Sequence, residues 1–218
     1  MKNKTCFIVG AGPICNPVVI PAENDFVYAC DGGLEWLRQH KINPDKIMGD
    51  FDSLGSVPEG DNVSVFPIKK DYTDMWICVE DALKNGFDKI IILGGLGGRY
   101  DHTIANFQLL SHISDNGGFG ILCDKTAFVT VIKTARICFP PIEKGNIGVF
   151  ALSDKCENVC ESGLEYSLDN DTLTNDFPLG EGNSFCGKSA EVSVGNGNLC
   201  VTWFDENFDI NKYRFEKL

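Results

Sequence analysis

The chain has 218 residues, 43% of them apolar, enough for one large or two small packed domains and against wholesale disorder. Its formal net charge of -12 sets nucleic acid and anionic membrane aside as main partners, because so acidic a surface repels both. The opening apolar run, residues 6–9, is too short for a membrane span or for the core of an export signal, so the expectation is a cytoplasmic protein with ten reduced cysteines.

Up to about residue 133, short apolar runs alternate with helical patterns. Strands are predicted over 6–10, 26–30, 46–49, 63–66, 89–93 and 119–123. Met75, Val79, Ala82 and Leu83 share one helical face, with Thr73 as N-cap, Asp74 in the first turn and Gly86 as the stop. A second helix is entered through Asp101, carries Ile104 and Phe107 on one face, and closes near Asn116-Gly117-Gly118. Strands alternating with helices predict a mostly parallel sheet covered on both faces.

After residue 133 the rhythm changes to strand-like runs at 136–139, 147–152, 190–194 and 199–204, broken by turn residues, and 195–198 is expected to join the last two as a hairpin. The predicted fold class is an α/β N-terminal domain with a mostly parallel sheet (1–133), followed by an all-β, sandwich-like C-terminal domain (134–218).

In an open parallel sheet, ligands bind beyond the carboxyl ends of the strands. Four successive predicted strand ends carry acids, glycines or bases: Asp31-Gly32-Gly33; Gly49-Asp50-Phe51-Asp52-Ser53; Lys69-Lys70-Asp71-Tyr72-Thr73-Asp74; and Gly94-Gly95-Leu96-Gly97-Gly98-Arg99-Tyr100-Asp101-His102. Taken singly they read as turns, caps and solvated lysines. The last is the least ordinary: four glycines in five positions cost backbone entropy unless amides must approach an anion closely. Asp50, Asp52, Asp71 and Asp74 offer hard oxygen ligands suited to Mg²⁺, and Arg99 suits phosphate oxygens. Metal, phosphate cradle and arginine together are the working parts of phosphoryl transfer. Gly10-Ala11-Gly12-Pro13 lacks the third glycine of a dinucleotide fingerprint, since position 15 is Cys15.

In order and spacing these four motifs resemble those of the thiamine pyrophosphokinase family, and Asn106 fits the same pattern. The resemblance covers most of the first 110 residues. It implies transfer of a diphosphoryl group from ATP to thiamine, giving thiamine diphosphate and AMP, by a homodimer that uses Mg²⁺. It implies Asp50, Asp52 and Asp74 as metal ligands. It also implies ATP contacts from Asp31, Gly32, Gly33, Asp71, Thr73, Gly97, Gly98, Arg99, Asp101 and His102, with Asp52, Asp71 and Arg99 serving the chemistry. The N-terminal domain is then the ATP- and Mg²⁺-binding part, and the β domain binds thiamine and dimerises. Family members often carry a Ser-Asn-Glu-Phe-like stretch there. The matching stretch here is Gly182-Asn183-Ser184-Phe185, so Asn183, Ser184 and Phe185 are expected thiamine contacts; Trp203 is open to two readings, a ring that stacks on a cation and, ahead of it, a core tryptophan. Two rivals remain: a haloacid-dehalogenase-like phosphatase, from Asp50-Phe51-Asp52-Ser53, and a nucleotide- or thiamine-binding sensor without turnover.

Overall fold

A computed structural model describes residues 5–218, which divide into two compact units, the first ending at Lys125 and the second spanning Thr126–Leu218. The expected boundary lay at 133. The division comes earlier because a strand over Ala127–Ile132, unmarked by any turn signal before it, pairs with Leu199–Phe204.

The first unit is an α/β layer structure. Its strands are β1 (Cys6–Val9), β2 (Phe26–Cys30), β3 (Lys46–Gly49), β4 (Val63–Val65), β5 (Lys89–Leu93) and β6 (Phe119–Asp124). They lie in the order β6-β5-β1-β2-β3-β4, and every pairing is parallel. All four residues of β1 are buried, and successive strand residues point to opposite faces, so both faces there are covered, as continuous apolar runs predict. The helices are α1 (Gly33–Gln39), α2 (Asp74–Lys84) and α3 (Tyr100–Asp115). Thr73 caps α2 as expected, its hydroxyl accepting from the Trp76 N–H at 3.1 Å.

The chain steps from β1 outward through β2, β3 and β4, then returns to lay β5 on the other side of β1. The crevice beyond the carboxyl ends of β1 and β5 is therefore the topological switch point, where such sheets bind ligands.

The second unit is all β and antiparallel. One sheet runs β12 (Gly180–Ser184), β9 (Asn146–Ala151), β14 (Leu199–Phe204), β7 (Ala127–Ile132). The other runs β11 (Leu168–Thr174), β10 (Lys155–Ser162), β13 (Ala190–Val194), β8 (Ala135–Phe139), β15 (Arg214–Lys217). Aromatic side chains fill the space between them: Phe139 of β8 meets Trp203 of β14 edge-on at 5.6 Å, and Phe128 of β7 stacks on Trp203 at 5.4 Å. This is the expected sandwich.

The predicted 195–198 hairpin is not one. Residues 195–198 carry the chain from β13 in one sheet to β14 in the other. Their backbone is tied to the start of β10, with Gly195 and Asn196 N–H groups donating to the Glu157 carbonyl and Asn198 N–H to Ser153 Oγ. Among the described residues no helix is long and apolar enough to cross a membrane.

Candidate functional site at the sheet switch point

Three strand ends build one rim. Asp31 follows β2 with a left-handed backbone, φ 47°, and its N–H donates to the Met48 carbonyl at 2.9 Å, tying it to the neighbouring strand β3. Gly49 ends β3 against it: a Cβ there would lie 3.0 Å from Asp31 Cα. Phe51 is also left-handed, φ 59°, yet 3% exposed, so a buried ring anchors a strained turn and leaves Asp50 and Asp52 on either side of it. Asp31, Asp50 and Asp52 each bring one carboxylate oxygen to within 4.8 Å of the others. Three hard oxygens converging this closely repel one another unless a cation stands among them, and they fit Mg²⁺ by chemistry.

Asp74, expected as the third ligand, is not in that set. It stands with Lys70, whose ammonium reaches Asp50 Oδ2 at 2.7 Å, Asp74 Oδ1 at 3.1 Å and the Pro67 carbonyl at 3.1 Å. Lys70 is not the solvated lysine that its sequence context suggests; its side chain is 13% exposed. The one sequence signal for it is the i,i+4 spacing to Asp74. Its hydrogen bond holds Asp50 below the usual carboxylate range, whereas burial, only partly offset by Lys70, raises Asp74.

The opposite wall is made of glycine backbone. Gly10 N–H donates to the Leu93 carbonyl and Gly12 N–H to the Gly94 carbonyl, locking the β1 and β5 ends together. A Cβ at Gly12 would sit 2.4 Å from Gly94 O, so this pair of loops closes only without side chains. The 10–13 stretch is thus part of the cleft, although it is no dinucleotide fingerprint. Gly97 and Gly98 continue the loop with φ of 74° and 65°. Buried Asn106 on α3 donates to the Gly95 carbonyl at 2.7 Å and pins the loop from below.

These groups line one cleft of about 650 Å³, with Asp31, Asp50, Asp52, Lys70, Thr73, Asp74, Gly97, Gly98, Arg99 and His102 on its wall. Gly32, Gly33, Asp71 and Asp101 are not on that wall. Asp71 is exposed, and Asp101 holds the Arg99 guanidinium through two hydrogen bonds, Nε to Oδ1 and Nη2 to Oδ2.

The expected thiamine contacts in the second unit are mostly structural here. Trp203 is 1% exposed, with its Nε1–H donating to the Tyr213 hydroxyl and Phe128 stacked on it, so no ring face is left for a ligand. Phe185 is buried against Phe139. Asn183 is buried and spends its amide on the backbone: Oδ1 accepts from Tyr166 and Ser184 N–H groups, and Nδ2 donates to the Tyr166 carbonyl. Ser184 is half-buried beside it.

Asn183 Nδ2 also faces Glu161 Oε2 at 3.4 Å, while Glu161 Oε1 has no hydrogen-bond partner among the described residues. Burial pushes the Glu161 carboxyl up to about 7, against the opposing pull of Asn183. The native state therefore keeps a proton that the unfolded chain has already lost, and stability falls as pH rises from about 4 through about 7. Glu161→Gln removes this penalty: at pH 8 its unfolding free energy is expected to exceed the parent's by about 2 kcal/mol, with no gain at pH 4. Urea unfolding at the two pH values checks it, and equal midpoints at pH 8 would refute it.

Comparison with known proteins gives one answer. The family model for thiamin pyrophosphokinase, catalytic domain, matches residues 20–118. Thiamine pyrophosphokinase of Bacillus subtilis is 28% identical over 215 residues, covering 91% of this chain and 97% of that protein. Thiamin pyrophosphokinase 1 of Caenorhabditis elegans is 28% identical over 155 residues, 65% of this chain, and the match spans 64% of that protein's length. The crystal structure of the Bacillus subtilis enzyme superposes with a TM-score of 0.82 at 26% identity, covering 93% of this chain and all of that one. Yeast thiamin pyrophosphokinase shares the fold, with a TM-score of 0.70 at 14% identity, over 97% of this chain and 90% of that one. The α/β unit with its acid- and glycine-lined switch point and the following β-sandwich thus belong to a chain that is similar in sequence and in fold to thiamine pyrophosphokinases.

Proposed function

We propose that this chain transfers the diphosphoryl group of ATP to the hydroxyl of thiamine, giving thiamine diphosphate and AMP. The observation that carries the reading is the meeting of Asp31, Asp50 and Asp52 with a glycine-backbone wall and Arg99 around one cleft. The matched relatives, named as thiamine pyrophosphokinases, supply the substrates.

In this reading the thiamine hydroxyl oxygen loses its proton to water and bonds to the β-phosphorus of ATP, the bridge to the α-phosphate breaks, and AMP leaves with the electron pair. Asp31, Asp50 and Asp52 would hold Mg²⁺, which supplies neutralisation of phosphate charge when bound. The Gly97 and Gly98 amides cradle phosphate oxygens. Arg99, already forked onto a carboxylate, has the geometry to exchange Asp101 for a phosphate. Thr73 accepts a backbone N–H with its hydroxyl oxygen and keeps the O–H free to donate into the cleft. Asp71, exposed and off the wall, gains no support as the proton acceptor. Thiamine's cationic ring is drawn to a chain of net charge -12. A homodimer, implied by the family resemblance, is the assembly to look for by sedimentation.

The test is product analysis after mixing the protein with ATP, Mg²⁺ and thiamine. Thiamine diphosphate with equimolar AMP is expected. ADP would mean attack at the wrong phosphorus, and phosphate released from a simple ester without ATP would revive the phosphatase reading.

A further inference from the structure

We propose that Lys70 is the resident counter-ion of the acidic rim and sets the rim's affinity for a divalent cation by competing with it for Asp50 and Asp74. The proposal rests on the reading of Asp31, Asp50 and Asp52 as the metal seat.

The Lys70 ammonium donates hydrogen bonds to Asp50 Oδ2 and the Pro67 carbonyl and is ion-paired with Asp74 Oδ1 at 3.1 Å. These partners come from the end of β3, the segment after β4 and the start of α2, so three separate stretches of chain surround one ammonium. A surface lysine does not show this. Its side chain is 13% exposed, against 71% for Arg99, the other fixed cation on the cleft wall, which is already taken by Asp101. Four carboxylates on that wall, Asp31, Asp50, Asp52 and Asp74, thus face one committed positive charge.

The electrostatics follow. A divalent ion held by Asp31, Asp50 and Asp52 shares Asp50 with the ammonium and is repelled by it at short range. The ion displaces the ammonium from Asp50, which releases Asp74 toward the ion and frees Lys70 for anionic ligand oxygens in the same cleft. Bare metal therefore binds weakly, and metal arriving with phosphates, which can accept the displaced ammonium, binds better. Lys70 is in this sense a positioning residue that favours joint arrival of metal and nucleotide.

The experiment uses Mn²⁺ alone, without nucleotide or thiamine, and reads the free Mn²⁺ paramagnetic resonance signal. Lys70→Met is expected to bind Mn²⁺ at least about tenfold more tightly than the parent, since a like charge has been removed from a few ångströms away. Lys70→Arg, which keeps the charge, should stay within about threefold of the parent. A merely structural lysine would give weaker metal binding on removal, not tighter. Should Lys70→Met misfold, the parent protein carries the test: Mn²⁺ should speed acylation of Lys70 by an amine-reactive reagent, read by peptide mass. Equal or weaker Mn²⁺ binding by folded Lys70→Met, or unchanged labelling, overturns the role of Lys70 and leaves the metal seat standing. No Mn²⁺ bound by any of the three proteins overturns the seat and this proposal together.

Discussion

Asp52→Asn should turn thiamine over at least about a thousandfold more slowly than the parent while unfolding at the same urea concentration. Asp52 is exposed and opens the short 3-10 turn Asp52–Leu54, so no packing is lost with its charge. Its carboxylate is one of three whose oxygens converge within 4.8 Å, and an amide keeps the shape but not the negative charge. Folding should be spared or slightly helped, because three like charges become two. The prediction is read by AMP release with thiamine present, alongside a urea curve. Near-normal AMP release would remove Asp52 from the metal seat. Loss of activity with a lowered urea midpoint would point instead to a scaffold role.

The first unit was legible because its strands, apart from the exposed edge strand β4, are buried on both faces. Continuous runs such as Lys89–Leu93 announce themselves without any partner being known. In the second unit the mostly buried strands β8, β9 and β14 were legible too, whereas β10 and β11 are largely solvated. In β10 the buried residues are Cys156, Val159 and Glu161, with exposed Glu157 and Asn158 and half-buried Cys160 between them and two register shifts against β11, so no clear period survives in the sequence. The 195–198 turn misled for a related reason. Its Gly-Asn-Gly-Asn composition fixes a tight bend, but which strands pair is set by distant partners, β10 for one and β7 for the other.

The site shows the same division. The four motifs were visible as strand ends, and the parallel sheet brings them to one rim. What spacing could not tell was which carboxylates become neighbours. β2 and β3 lie side by side, so Asp31 joins Asp50 and Asp52, while Asp74 begins a helix and pairs with Lys70. The repulsion evident in Asp50-Phe51-Asp52 is answered in part by an ammonium that hydrogen-bonds positions 50 and 67 and is ion-paired with 74, and of these only the i,i+4 spacing to Asp74 is marked locally.

Gly33→Ala should destabilise the protein by about 3 kcal/mol or more, the largest effect of any single methyl group considered. Gly33 opens α1, and its backbone needs no special conformation; the constraint is space. A Cβ there would lie 1.9 Å from Val9 O, 2.5 Å from Val9 C and 3.0 Å from Gly10 N, all of them main-chain atoms of the β1 end. Backbone cannot rotate away as a side-chain tip can, so either α1 lifts from the sheet or the Val9–Gly10 corner moves. Each movement reaches the cleft. Gly10 is locked to Leu93 and helps form the glycine wall, and Asp31 sits two residues before Gly33 in a strained backbone tied to β3. Gly86→Ala is the matched control: nothing lies within 4 Å of its Cβ, and only its φ of 81° opposes alanine, at about 1 kcal/mol. Urea unfolding of the two variants should therefore separate them by about 2 kcal/mol. Gly33→Ala protein that folds in the cold should also bind Mn²⁺ less tightly, whereas Gly86→Ala should not. Equal stabilities would mean that α1 rides farther from β1 than these contacts indicate, and that Asp31-Gly32-Gly33 owes its second glycine to something other than close packing under the acidic rim.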